Sequence, residues 1–169
     1  MDQWEQFESV KAALVDRVTN VATVGNGIVA EVYPYHGALY ARDLTGTEDV
    51  FYVTVTRNAT SYAGRTMGDR GGKAERRFSF EIEVHLPWDR ARGDALEILF
   101  DRYLEVLCLN LASDVSLAGP AGEPKLATLS LPQVLPDSDG FRIFQEKIRM
   151  RYRMVTLEAV VTSDYRWRE

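Results

Sequence analysis

At 169 residues, with 46% hydrophobic and 27% charged side chains, the chain is long enough to bury its own core and has the composition of one ordinary globular domain. A net charge of −5 argues against nucleic-acid binding over the whole surface, and a single cysteine, Cys108, excludes an internal disulfide and a cysteine-rich metal site. No apolar run approaches the roughly 20 residues needed to span a bilayer, and the opening Met-Asp-Gln-Trp-Glu lacks the basic start and apolar stretch of a secretory signal. Synthesis and residence in a cytosol, without membrane contact, is the expectation.

In chain order, Asp2 to Val18 reads as a helix, because Trp4, Phe7, Val10, Leu14 and Val18 recur every three or four residues. Ile28 to Tyr33 is a short strand ended by Pro34. Tyr35 to Asp49 has too little periodicity to assign. Val50 to Arg57 alternates as a strand. So does Arg77 to Leu86, with Phe78, Phe80, Ile82, Val84 and Leu86 on one face and Arg77, Ser79, Glu81, Glu83 and His85 on the other. Between these strands lie residues 58–76, with four glycines. A tight hairpin uses about two to five loop residues. The longer connection therefore reads as an arm, mobile alone and ordered by a partner.

Asp94 to Asn110 is the clearest helix. Leu96, Leu99, Tyr103, Leu107 and Leu111 share one face, and Asp94 with Glu97 suggests a capping arrangement. Lys125 to Leu131 forms a strand limited by Pro132, and Pro136 to Gly140 a turn. Phe141 to Val161 is extended. There Ile148, Met150, Tyr152 and Met154 share one parity, and Val155, Leu157, Ala159 and Val161 the other, so a β-bulge near Met154–Val155 is expected to keep both sets facing inward. The order of elements predicts a single α+β domain over residues 1–169: a mainly antiparallel sheet, two helices packed on one face, and a long mobile β-hairpin arm at about 58–76.

Little in the chain points to catalysis. His36 and His85, without metal-ligand spacing, read as solvated surface histidines. Cys108, within the apolar helix, reads as an inert thiol. Glu81 and Glu83 read as a solvated strand face. Gly72-Lys73 is followed by Ala74 and no helix, so the glycines do not make a phosphate loop. The expectation is no catalytic residue, no cofactor and no metal. Two sets of residues stand out instead. One is in the arm, where Tyr62, Arg65, Met67, Arg70 and Lys73 among glycines suggest a segment that folds on contact. The other is the basic alternation Lys147, Arg149, Arg151 and Arg153. It fits a solvent-facing strand or cross-strand pairs with Glu81 and Glu83. The sharper alternative is a stripe meeting an acidic partner or a channel holding nucleic acid.

The layout resembles that of the tail terminator (tail completion) proteins of long-tailed bacteriophages and gene transfer particles. The resemblance rests on the helix around Trp4 to Val18, the strand at Ile28 to Tyr33, the strand-arm-strand unit from Val50 to Leu86, the helix at Asp94 to Asn110 and the closing β segment through Val155 to Val161. It implies a non-enzymatic virion protein of the tail or neck, made in the host cytoplasm. Six copies would close into a ring on the tail tube protein, stop tube growth and present the surface that meets a head-completion or connector protein, with DNA passing through the lumen. The resemblance carries no active-site residue. The alternatives are another neck or tail component, such as a head-closure or tail-tube protein, and a small α+β enzyme or ligand-binding module.

Overall fold

The computed structural model describes residues 3–23, 27–44, 49–68, 71–118 and 125–166, with 3–5, 22–23, 63–68, 71, 125 and 163–166 as backbone alone. The fold is α+β. In chain order it contains α1 (Gln3–Thr23), β1 (Val29–Tyr33), α2 (His36–Tyr40), β2 (Val50–Gly68), β3 (Gly71–Pro87), α3 (Gly93–Ser113), β4 (Ser116–Ala118), β5 (Lys125–Leu129), β6 (Gln133–Val134), β7 (Gly140–Phe144) and β8 (Ile148–Arg166). The strands form one sheet in the order β1-β2-β3-β8-β5-β4, with β6 and β7 also paired to β8. Only β1 and β2 run parallel among these pairs. Parallel neighbours need a crossover rather than a hairpin, and α2 lies in it, within the stretch that showed no periodicity.

The helical stripes pack as their spacing dictates. Phe7, Val10, Leu14, Val18 and Val21 of α1 and Leu96, Phe100, Tyr103, Leu107 and Leu111 of α3 are buried against one face of the sheet. The side chain of Trp4 lies outside the described residues. Phe7 meets the rings of Phe78 and Phe80 at 5.5 and 6.1 Å, and Phe51 meets Tyr103 at 4.3 Å. Each large apolar side chain so buried contributes about 1.5–3 kcal/mol. The expected cap on α3 is not formed: its N-cap is Arg92, with no side-chain cap bond. Glu97 instead reaches Arg151, and Asp89 caps the short 3-10 turn before α3 by accepting from Ala91 N at 2.9 Å.

β8 is the axis of the sheet. On one side it pairs with β3 without interruption, from Met150–Pro87 to Arg166–Gly71. On the other side β7, β6 and β5 tile it in succession. Between these short strands, Ser138 Oγ accepts from Met154 N and Ser130 Oγ from Glu158 N. The two hydroxyls thus satisfy backbone donors that a continuous partner strand would otherwise satisfy.

The unbroken register removes the expected bulge near Met154–Val155. The change of apolar parity is real, but the two sets face opposite sides. Val155, Leu157, Ala159 and Val161 join the helix-side core. Ile148 and Met150 join a second cluster with Leu39, Leu44, Tyr52 and Phe144 on the other side, which α2 and β7 cover. A strand that passes from one covered face to another can change phase without bending.

The extended stretch from Phe141 is also divided. β7 turns into β8 through Gln145 and Glu146, both exposed and at positive φ, 51° and 64°. Such a turn favours Asn-Gly, and an L residue in this conformation costs about 1–2 kcal/mol. Glycine's extra freedom when unfolded offsets part of the gain. Glu146→Gly is therefore expected to stabilise the protein by about 0.5–1 kcal/mol, seen as a raised urea midpoint at unchanged slope.

Residues 58–76 are not a long loop. β2 and β3 stay paired out to Gly68–Gly71, and the end of β8 adds a third strand along β3. The arm is therefore a three-stranded ribbon. β2 carries two register shifts, between Arg57 and Ala59 and between Tyr62 and Arg65. The second contains Gly64, and glycine inside a strand commonly marks such a bulge. The last residues of β8, Ser163 to Arg166, pair with the chain's own β3 from Ala74 to Gly71.

Candidate assembly surface

The root of the arm forms a groove of about 530 Å³ on the helix side of the sheet, lined by Phe7, Arg57, Asn58, Ala59, Thr60, Tyr62, Arg76 and Phe78. Tyr62, singled out in the sequence, stands 69% exposed there. Arg57 lies over the Phe7 ring at 4.5 Å and reaches Thr60 Oγ1 at 3.5 Å, and Arg76 lies 5.8 Å from the Phe78 ring centre. Lys73 is exposed, opposite Thr66 on β2 and Asp164 on β8. Arg65 and Met67 pair with Ala74 and Gly72. Their side chains, and the whole of Arg70, lie outside the described residues. Sequence reasoning missed Arg57, just before residues 58–76, and Arg76, at their end. The available signal was a cation at an inward-facing position of each alternating strand.

The second basic set does not form one stripe. Lys147 sits exposed in the β7–β8 turn. Arg149 is exposed and stacks over Phe141 at 4.0 Å. Arg151 is buried beneath the start of α3. Its Nη2 donates to Glu97 Oε1 at 2.9 Å, its Nη1 donates to the Gly140 carbonyl at 3.0 Å, and it also pairs with Asp139. Arg153 shares Asp139 at 3.2 Å. The expected partners Glu81 and Glu83 sit opposite Thr156 and Met154, on the other face.

The solvated face expected around Glu83 and His85 is instead the floor of the second cluster, because α2 and β7 lie over it. Glu83 is 4% exposed and His85 1%. Glu83 accepts from Thr54 Oγ1 at 3.3 Å and from Tyr152 OH at 3.1 Å, and it pairs with Arg142 at 3.3 Å and His36 Nδ1 at 3.2 Å. Arg142 in turn stacks on the Tyr152 ring at 3.6 Å. A buried carboxylate is tolerated only when so partnered. This one joins α2, β2, β3, β7 and β8. Burial, then the Glu83 charge, pushes the Tyr152 hydroxyl well above its ordinary range.

His85 Nδ1 lies 3.1 Å from the Tyr52 carbonyl oxygen. A carbonyl only accepts, so Nδ1 carries the proton and Nε2 the lone pair. Nε2 is buried without a partner among the described residues. Burial lowers the His85 pKa to about 4, opposed by Glu83 and the Tyr52 carbonyl and reinforced by Arg142 and His36.

Cys108 is half-buried, and burial pushes its thiol pKa up, away from the reactive thiolate. Among the described residues no three His, Cys, Asp or Glu side chains converge as metal ligands. Nor is any helix there long and apolar enough to cross a membrane. No protein-family model matches the chain, and comparison with curated proteins finds no match.

Proposed function

We propose that this protein is a structural subunit of a bacteriophage-type tail. It closes with copies of itself into a ring on the end of the tail tube, stops tube growth and offers the surface that joins the head. The observation that supports this reading most is the three-stranded arm, which extends past the core and carries a basic, aromatic groove at its root. Among the described residues the helix-side core includes nothing on β2 beyond Val55 and nothing on β3 before Phe78. The paired strands continue well past both. A chain folding only for its own stability gains little from such a ribbon, because its strands order backbone at about 1–2 kcal/mol per residue without burying a core.

Among the described residues the arm also carries open edges. β2 pairs with β1 only as far as Thr54, and β8 pairs with β5 only as far as Val160. Unpaired edges are templates for another chain. Interfaces between different surfaces of identical subunits give rings when the rotation closes. The tube end supplies the template on which closure becomes favourable.

The test is to shorten the arm. Joining the paired Ser61 and Arg77 through an Asn-Gly turn in place of residues 62–76, and ending the chain at Thr162, removes the ribbon while keeping the core cluster. The expected product melts cooperatively as a monomer and does not cap tail tubes in negatively stained images. A shortened protein that still caps tubes would falsify the reading.

A further inference from the structure

Resting on the ring reading, we infer that the groove at the root of the arm takes the outer face of α3 from a second copy. Arg57 and Arg76 both line the groove, and neither has a carboxylate partner among the described residues, although Arg76 is only 8% exposed. Burying a guanidinium without an anion is costly, so the groove is set up for one. Phe7 and Phe78, both buried, form the apolar floor, and exposed Tyr62 adds an aromatic wall. Residues 57–77 carry six Lys/Arg against two Asp/Glu, a local charge of +4 that leaves −9 for the rest of a chain whose total is −5. The arm and the body are therefore opposite in sign.

The matching surface lies on α3. Its inner face buries Leu96, Phe100, Tyr103, Leu107 and Leu111. Its outer face carries Asp94, Ile98, Asp101, Glu105 and Leu109, spaced four, three, four and four residues apart, which is one helical stripe. Ile98 is 71% exposed and Leu109 62%, and the three carboxylates are exposed without ion pairs among the described residues. Arg102 flanks the stripe. Apolar side chains interleaved with carboxylates complement an aromatic wall interleaved with guanidiniums. Desolvated charge pairs of this kind set register and exclude wrong partners. Because groove and stripe are different surfaces of one chain, the contact is head-to-tail and can propagate around a ring.

A charge swap tests the pairing. One variant carries Arg57→Glu and Arg76→Glu, the other Asp101→Arg and Glu105→Arg. Each alone sets like charge against like and is expected to sediment as a monomer under conditions in which the native protein associates. An equimolar mixture places Glu against Arg in one contact and the native pair in the next, and is expected to regain association. If the doubly substituted arm fails to fold, Arg57→Glu alone, at an exposed position, carries the same sign. Association of either variant alone at the native level overturns this pairing while leaving the ring standing, and so does a mixture that stays monomeric. Loss of tube capture with self-association intact assigns the groove to the tube protein and also overturns it. A native protein that is monomeric at every concentration, and on tail tubes, overturns both readings together.

Discussion

Arg151→Glu is expected to cost about 4 kcal/mol or more, a large part of the 5–15 kcal/mol that typically separates folded from unfolded domains. The native guanidinium is 7% exposed, holds Glu97 and Asp139, donates to the Gly140 carbonyl and lies over the Phe100 ring at 5.2 Å. Glutamate at this position places a third carboxylate between two others and leaves the Gly140 carbonyl without its donor. Arg149→Glu, two residues away, loses a stacking contact on Phe141 at an exposed position, expected to cost about 0.5–1 kcal/mol. Urea titrations of the two variants, followed by the fluorescence of Trp88, which sits edge-on to Phe141 at 5.2 Å, make the comparison. Equal losses would show that Arg151 is not the clamp described. The contrast also bears on the proposed ring: of the four basic residues Lys147, Arg149, Arg151 and Arg153, only the first two would be available to a lumen, because the charges of Arg151 and Arg153 are engaged within the subunit.

Acidification gives the second large effect. His85 has an ordinary pKa of 6.5 when unfolded, and burial brings it to about 4 in the fold. The unfolded chain therefore binds a proton that the folded chain refuses, so stability falls as pH drops below 6.5 and levels off below about 4. At 1.36 kcal/mol per pKa unit the full loss is roughly 3 kcal/mol, of which about 2 is gone by pH 5. Glu31 and Asp49 act lower on the scale. Hydrogen bonds from Arg42 and Arg92, respectively, hold their carboxyls below the ordinary value. Their stabilisation is intact above that value and is lost only as pH falls through the depressed one. Of these three shifts, that of His85 is the one that acts between pH 7 and 5. His85→Phe keeps the ring packed between Phe144 and Tyr152 and gives up the bond to the Tyr52 carbonyl, at about 1 kcal/mol at neutral pH. It is expected to remove most of the difference between urea midpoints at pH 7 and pH 5. An unchanged difference would mean that the titrating group lies elsewhere.

The buried cluster shows where reading the chain in one dimension stops. Glu83 and His85 alternate with Ile82, Val84 and Leu86, and alternation alone says that one face is wet. The face is dry because Leu39, Leu44 and Phe144, from segments far away in sequence, lie over it. Among the described residues four groups partner Glu83, coming from positions 36, 54, 142 and 152. No spacing rule links those positions, so the constellation could not be anticipated. The arm was half legible. Its glycines and basic residues marked an unusual segment, but bulged strands weaken period-2 alternation. The third strand that completes the ribbon comes from the far end of the chain.

What the amino-acid order determined by itself was the longer repeats that near neighbours govern. The stripes of α1 and α3, the alternating faces of Val50 to Arg57 and Arg77 to Leu86, and the stops at Pro34 and Pro132 all follow from how a backbone repeats over a few residues. The tertiary structure decided which faces are buried, that β8 changes phase by passing from one covered face to the other, and that Arg151 is a clamp beneath α3 rather than a surface charge. Burial and charge pairing are properties of what packs above a residue, and that is set by chain closure over a hundred residues rather than by the local repeat.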